Sequence, residues 1–134
     1  MSLISWLNFP PLGDERGCLV SLEAKKTIPF DIKRIYYIFK TKDGVVRGLH
    51  AHKVLKQVMI CITGSCKIKL DNGQSSETVI LESPVKGILV EGLIWREMSN
   101  FSNDCVLLVI ANEHYDESDY IRNYDDFLSL VRND

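Results

Sequence analysis

The chain has 134 residues, of which 46% are hydrophobic and 25% are charged, and its formal net charge is −2. These values are typical of one globular domain, assigned here to residues 1–134, and they exclude a disordered chain and a strongly basic nucleic-acid-binding protein. No stretch approaches the roughly 18 apolar residues of a membrane span or resembles a secretory leader, so we expect a cytoplasmic protein without nucleic-acid or membrane partners.

Short strand-like runs separated by turn residues follow one another along most of the chain. They cover residues 17–23, 32–39, 54–63, 65–70, 77–81, 87–90 and 105–111. Thr63-Gly64 predicts a bend between two strands that pair as a hairpin. Asn72-Gly73 predicts a second hairpin, because both residues tolerate a positive φ. Polar and apolar residues alternate in 65–70, which predicts that Cys66, Ile68 and Leu70 face the core.

The C-terminal segment changes to helical spacing, because apolar residues recur at steps of three and four: Ile121, Tyr124, Leu128 and Val131. We expect one short helix over residues 120–131, with Ser118 or Asp119 as its N-cap. The acidic run 116–119 is interpreted as the start of that helix, and His114 as solvated. Many short strands with one terminal helix predict an all-β sandwich or barrel.

Four cysteines are present, at positions 18, 61, 66 and 105, and no two of them form a CxxC pair. Cys61 lies within an apolar strand-like run and Cys105 precedes another, where cysteine behaves as a small hydrophobic residue. We expect buried free thiols rather than disulfides or a metal site.

Two histidines separated by one residue, His50 and His52, lie on the same face of a predicted strand and can share a ligand. The intervals between Gly44, the two histidines, Gln57 and Gly64 match the first sequence motif of the cupins. Gln57 stands where that motif has glutamate. This resemblance implies a cupin fold, a jelly-roll β-barrel, with a short C-terminal helix.

The second cupin motif is matched only in part. Asn100 fits its last position, but Arg96 stands where the motif has histidine. Gln57 removes a negative charge from the ligand set, and a guanidinium cannot bind a cation. We therefore expect a pocket that works without a metal or another cofactor.

Further segments extend the resemblance over nearly the whole chain, and the most specific is Arg47-Gly48-Leu49-His50-Ala51-His52-Lys53. The others are residues 14–17, 28–30, 33–38, 95–98 and 115–121. Together they are similar to the sugar-nucleotide 3,4-ketoisomerases, which act on dTDP-4-keto-6-deoxyglucose. The resemblance implies a metal-free homodimer with exchanged N-terminal strands. It also implies a place in the biosynthesis of 3-amino-3,6-dideoxyhexoses for surface glycans such as O-antigen.

The family reaction moves a ketone from C4 to C3 of the sugar through an enediolate. His50 and His52 are the predicted acid and base, since histidine titrates near neutral pH. Tyr36 is the predicted hydroxyl donor, although the sequence does not decide whether Tyr36 or Tyr37 faces the pocket. The other tyrosine is expected in the core. Which histidine is the base also stays open.

Four further residues are predicted to bind the substrate. Arg47 fits the diphosphate, because its planar fork matches phosphate oxygens. Arg96 is placed near the developing oxyanion, and Arg16 near Arg96. Trp95 is predicted to stack on the thymine ring, with a position at the rim or in the core as the alternative.

Three alternatives remain. An epimerase of similar sugars pairs its catalytic histidine with an aspartate, for which the sequence offers no clear equivalent. A metal-dependent cupin dioxygenase is disfavoured by Gln57 and Arg96. A non-catalytic nucleotide-sugar binding module would keep the pocket without turnover. The choice between a galacto and a gluco product stays open.

Overall fold

The computed structural model describes residues 2–133, and its secondary structure is mostly strand. The elements in chain order are β1 (Ser5–Asn8), β2 (Leu12–Asp14), β3 (Gly17–Leu19), β4 (Arg34–Phe39), β5 (Arg47–His52), β6 (Gln57–Thr63), β7 (Cys66–Asp71), β8 (Ser76–Leu81), β9 (Lys86–Val90), β10 (Trp95–Ser99), β11 (Val106–Ala111), a 3-10 helix (Glu117–Asp119), β12 (Tyr120–Ile121) and α1 (Tyr124–Arg132). The prediction of an all-β fold with one short C-terminal helix is confirmed.

Two five-stranded antiparallel sheets enclose the core. Their strand orders are β1-β9-β6-β11-β4 and β12-β5-β10-β7-β8, while β2 and β3 form a separate hairpin. Met59 and Leu107 of the first sheet pack with Ile68 and Met98 of the second, and all four are buried. Burial of these apolar side chains between the sheets supplies the main stabilisation of the fold.

The two predicted hairpins have different outcomes. Asn72-Gly73 does connect β7 to β8, which pair along their whole length. Thr63-Gly64 does not close a hairpin, because β6 pairs with β11 and β9 whereas β7 belongs to the other sheet. Gly64 has a φ of +72°, and a Cβ there would lie 2.3 Å from Oγ of Ser102. The bend therefore carries the chain from one sheet to the other.

The C-terminal helix is shorter than predicted. It begins after Asn123, whose side chain accepts a hydrogen bond from the backbone N–H of Asp126, so Ser118 and Asp119 are not its N-cap. Tyr120 and Ile121 instead pair with β5 as strand β12. The helical spacing of the apolar residues hid this strand, because Ile121 is buried against the same cluster as the helix residue Phe127.

The cysteines follow the prediction at three of four positions. Cys61, Cys66 and Cys105 are buried and Cys18 is exposed, and all four are free thiols. The alternation in β7 is confirmed, since Cys66, Ile68 and Leu70 are all buried. Among the described residues, no helix is long and apolar enough to cross a membrane.

Candidate active site

Two adjoining cavities open at the end of the barrel where β5 finishes. Their volumes are about 310 Å³ and about 560 Å³. Arg34, Tyr115 and Tyr120 line both of them, His52 lines the smaller cavity, and His50 lines the larger one. The two predicted histidines therefore open into neighbouring parts of one site.

A bulge in β5 sets the direction of the histidines. Gly48 and Leu49 have φ angles of +85° and +50°, and the register of β5 against β10 shifts at this point. A Cβ on Gly48 would lie 3.1 Å from the carbonyl oxygen of Arg96, so glycine is needed for close approach of the two strands. Beyond the bulge, the rings of His50 and His52 lie 4.7 Å apart between centroids.

His52 is paired with Asp119. The distance from Nδ1 of His52 to Oδ2 of Asp119 is 3.1 Å, and the same carboxylate accepts hydrogen bonds from the backbone N–H groups of Lys53 and Val54. Burial and the charge of Arg96 lower the pKa of His52 to about 2, so the ring is neutral at pH 7. A carboxylate partner places the ring proton on Nδ1. Among residues 2–133, Nε2 has no hydrogen-bond partner and carries a free lone pair.

His50 is held in the same tautomer by the backbone. Its Nδ1 lies 2.7 Å from the carbonyl oxygen of Gly48, which can only accept, so Nδ1 carries the proton. Burial is the main cause that lowers its pKa to about 4, with a further contribution from Arg96. The ring of Tyr120 packs against both imidazoles, at centroid distances of 4.9 Å to His50 and 4.3 Å to His52. The site thus holds two neutral imidazoles whose Nε2 atoms can each accept a proton.

A buried polar chain lies beside the histidines. Arg96 donates to Oε1 of Gln57 at 2.5 Å and to the carbonyl oxygen of Ile94 at 3.0 Å. Nε2 of Gln57 donates to the hydroxyl oxygen of Tyr36 at 3.0 Å. Burial raises the pKa of Tyr36, so its hydroxyl stays protonated. Burial also lowers the pKa of Arg96 to about 10, which leaves the guanidinium charged at neutral pH.

Arg96 has no exposed surface and lines neither of the two cavities. Its guanidinium donates to Gln57 and to the carbonyl oxygen of Ile94. That Arg96 supplies positive charge near the developing oxyanion stays a prediction.

Strand β4 turns the side chains of its two tyrosines to opposite sides. Tyr36 points inward to Gln57, whereas Tyr37 is 61% exposed at the rim of the larger cavity and packs on Phe39. The expectation that the second tyrosine lies in the core is wrong. Strand β4 is the edge of its sheet, so its outer face is open.

The predicted arginines at the surface differ in position. Arg47 is exposed and lines the larger cavity with His50 and Tyr36. Arg16 lies in the β2–β3 hairpin, where it forms a 2.7 Å ion pair with Asp14, and it lines neither of the two cavities.

Trp95 lies away from both cavities. Because Trp95 and Arg96 are neighbours on β10, their side chains point to opposite faces of the sheet. The indole packs on the rings of Tyr124 and Phe127 and donates to Glu97. The structure therefore places Trp95 in the core, which was the alternative to stacking on a base, and its ring anchors helix α1.

The segment before helix α1 contributes site residues that the sequence interpretation missed. Asp119 and Tyr120 contact the histidines, and Arg122 lies over the Tyr120 ring at 4.3 Å. Glu117 holds Arg122 at 2.8 Å and accepts a hydrogen bond from Tyr115. The signal was available, because residues 115–121 belong to the family-like segments. Their acidic character was instead interpreted as the start of a helix.

The donor atoms at this end of the barrel do not fit a metal ion. Oε1 of Gln57, which stands at a cupin ligand position, is occupied by the guanidinium of Arg96, and Asp119 is bound to His52 and to backbone N–H groups. A permanent cation at the centre of the donor set repels a second one.

A separate group of possible metal ligands lies at the other end of the barrel. The Sγ atoms of Cys61, Cys66 and Cys105 all lie within 4.8 Å of one another, and all three residues are buried. Burial raises the pKa of Cys61 to about 12 and also raises that of Cys66. The three cysteines belong to the same buried hydrophobic cluster as Met59 and Leu107, so this group is described as part of the apolar core.

Comparison with known proteins gives one consistent result. Residues 2–132 match the family model described as FdtA: WxcM-like, C-terminal. The chain is 51% identical over 125 residues to a TDP-4-oxo-6-deoxy-alpha-D-glucose-3,4-oxoisomerase from Aneurinibacillus thermoaerophilus, covering 93% of this chain and 90% of that protein.

Solved structures of similar proteins superpose closely. A mutant 3,4-ketoisomerase from Thermoanaerobacterium thermosaccharolyticum, in complex with TDP-4-keto-6-deoxyglucose, has a TM-score of 0.95 and 43% identity over 99% of this chain and 96% of that one. A 3,4-ketoisomerase from Helicobacter canadensis has a TM-score of 0.93 and 50% identity over 98% of both chains. The fold is therefore that of the cupin-like ketoisomerases.

Proposed function

The chain belongs to the FdtA family (WxcM-like, C-terminal) and is a TDP-sugar 3,4-ketoisomerase, and we propose that it converts dTDP-4-keto-6-deoxyglucose to a dTDP-3-keto-6-deoxyhexose. One observation carries the mechanism: two neutral imidazoles with free Nε2 lone pairs lie at a pocket that also holds the hydroxyl of Tyr36. Such a group can take a proton from carbon and return it without a metal.

The isomerisation exchanges four bonds. The C3–H and O3–H bonds break, the C4–H and O4–H bonds form, and the ketone moves from C4 to C3 through an enediolate. We assign His50 as the group that removes the C3 proton, because His50 opens into the larger cavity together with Tyr36 and Arg47. Nε2 of His52 accepts the O3 proton, and the imidazolium that forms is stabilised by Asp119. The same imidazolium then delivers this proton to C4, while the proton on His50 passes to O4.

Charge develops on O4 as the C3 proton leaves. Tyr36 is the donor for that oxygen, since its pKa is raised and its hydroxyl stays protonated. The buried charge of Arg96, which reaches Tyr36 through Gln57, favours the same oxyanion. Arg47 is the ligand for the diphosphate, because it is exposed at the mouth of the same cavity.

The protein is further proposed to act as a homodimer that exchanges N-terminal segments. Leu12 and Leu19 of the β2–β3 hairpin are more than half exposed, as are Ile35, Tyr37 and Phe39 of edge strand β4. Apolar surface of this kind favours association with a second copy. Strand β1 pairs with β9 of its own chain, so the hairpin after it is the segment available for exchange. In the dimer, this hairpin would carry Arg16 to the partner's cavity.

Two measurements test the dimer. Light scattering should give twice the mass of one chain. Arg16→Ala and His50→Asn chains, each of low activity, should regain activity when they are unfolded and refolded together, because one site of each mixed dimer then has both residues. A monomer, or no recovery in the mixture, contradicts the exchange.

The keto product has an electrophilic C3 that can accept an amino group. We propose that the enzyme works in the cytoplasm and supplies this intermediate for 3-amino-3,6-dideoxyhexoses of bacterial surface glycans. Deletion of the gene should remove the amino sugar from the glycan, and an unchanged glycan contradicts this placement.

Proton NMR of dTDP-4-keto-6-deoxyglucose with the protein in D₂O and chelator tests the reaction itself. We expect a 3-keto product with deuterium at C4, and its coupling constants distinguish a galacto from a gluco configuration. An unchanged substrate with tight TDP binding indicates a binding module instead. Deuterium at C5 indicates an epimerase, and turnover only after metal addition indicates a metal-dependent enzyme.

A further inference from the structure

Gln57 is completely buried between a group that can only donate hydrogen bonds and a hydroxyl that can do either. The guanidinium of Arg96 has no acceptor atom, so the side chain of Gln57 must turn Oε1 toward it. This leaves Nε2, which can only donate, facing the hydroxyl oxygen of Tyr36 at 3.0 Å. The orientation of the amide therefore follows from the chemistry of Arg96.

The orientation of the Gln57 amide also restricts the direction of the Tyr36 hydroxyl proton. Because Nε2 of Gln57 donates to the Tyr36 oxygen, the tyrosine cannot direct its own proton at Gln57. Tyr36 lines the larger cavity with His50, so the O–H bond is free to point into that cavity. Three side chains in sequence thus fix the direction of one hydroxyl proton.

We propose that Gln57 is a positioning residue that makes Tyr36 an obligate hydrogen-bond donor toward the sugar oxygen in the larger cavity. This inference rests on the proposed ketoisomerase function and deepens it. It gives a reason for glutamine at a position where glutamate would fit the same space. A glutamate would accept from Arg96 and also from the Tyr36 hydroxyl, which would then turn its proton away from the substrate.

The test is the isosteric substitution Gln57→Glu, together with Tyr36→Phe and the double variant. Loss of one preorganised donor to an oxyanion costs about 10²-fold to 10³-fold in kcat. We expect Gln57→Glu to lower kcat by about 10²-fold with KM changed less than about threefold, since the donor acts mainly on the transition state. In the Tyr36→Phe background, Gln57→Glu should lower kcat by less than about threefold, because the hydroxyl that Gln57 orients is already absent.

A residue with only a structural role would give a different pattern. Its substitution would lower the melting temperature and would reduce kcat by the same factor in both backgrounds. Equal losses in the two backgrounds, or a Gln57→Glu variant with the kcat of the wild type, overturn the proposal. A wild-type protein without any turnover contradicts the proposed function instead, so the two failures are distinguishable.

Gln57→Met serves if Gln57→Glu does not fold or does not bind TDP. Methionine keeps the length of the side chain but has no N–H donor, so the Tyr36 hydroxyl is free to rotate among several orientations. We expect a loss of about tenfold in kcat, intermediate because the donor is still present, and no further loss in the Tyr36→Phe background. Additive losses here also overturn the proposal.

Discussion

The two ends of the barrel bury polar atoms in different ways. We call the end with the two cavities the mouth. There, His50, His52 and Gln57 each have a hydrogen-bond partner that fixes where their protons lie. At the opposite end, Cys61 and Cys105 contact one another, with 3.6 Å between their sulfur atoms. Sγ of Cys61 also has a fixed partner, because it donates to the carbonyl oxygen of Thr63 at 3.1 Å. The thiol lines neither of the two cavities, whereas both histidines line one of them. Directed lone pairs and protons beside a cavity, rather than burial itself, distinguish the active end.

The largest effect is expected at His50. His50→Asn keeps a polar side chain of similar shape but cannot exchange a proton near neutral pH, so kcat should fall by about 10³-fold. TDP binding and the melting temperature should change little, and both can be measured on the same preparation. A variant that keeps more than about a tenth of the wild-type kcat contradicts the assignment of His50 as the base.

Asp119→Asn should have the next largest effect. The amide oxygen can still accept from the backbone N–H groups of Lys53 and Val54, so the fold should survive. Its NH₂ group, however, can donate to Nδ1 of His52 and move the ring proton to Nε2, where the free lone pair is needed. We expect kcat to fall by about 10²-fold, in line with the loss of a partner that orients a histidine.

The turnover of Asp119→Asn should be compared with that of Asp119→Ala, which also removes the hydrogen bonds to the backbone. If Asp119→Asn keeps the wild-type kcat, the pairing with His52 is structural only. The His52–Asp119 pair, which resembles the histidine–aspartate pair of the epimerases, would then have no part in the mechanism.

The pH dependence of stability sharpens the comparison, since the mouth contains two histidines with lowered pKa values. Their pKa values of about 4 and about 2 in the folded chain lie below the usual value of 6.5 for histidine, so the unfolded chain binds more protons at acidic pH. Stability is therefore full above about pH 6.5 and falls as the pH drops below it, by up to about 1.4 kcal/mol per pH unit for each histidine.

Urea unfolding at about pH 7, 6 and 5 measures this slope. His50→Asn should give a shallower slope than the wild type, because one of the two protons is no longer taken up on unfolding. Parallel slopes for the two proteins would show that the folded chain accepts a proton at position 50 as readily as the unfolded chain does.

The sequence predicted the parts of the site that lie within one strand or one motif. His50, His52 and Gln57 follow from their spacing, and Tyr36 from its position in β4. Asp119 did not follow, because its role depends on a contact with His52, 67 residues earlier in the chain. Strand β12 was hidden for the same reason, since its pairing with β5 is non-local and Ile121 also fits the helical spacing. Local patterns do not encode such pairings.

The smallest effect on catalysis is expected at the cysteine end, and it tests whether the two ends are independent. Cys61→Ala removes a buried sulfur and should destabilise the fold by about 1–2 kcal/mol, as loss of core contacts does. It should leave kcat within about twofold of the wild type, because residues without shared partners act independently. In the native protein only the exposed Cys18 should react rapidly with a thiol reagent, and all four cysteines should react after denaturation. A substantial loss of kcat in Cys61→Ala would mean that packing at one end sets the geometry of the histidines at the other, because the substituted side chain touches neither cavity.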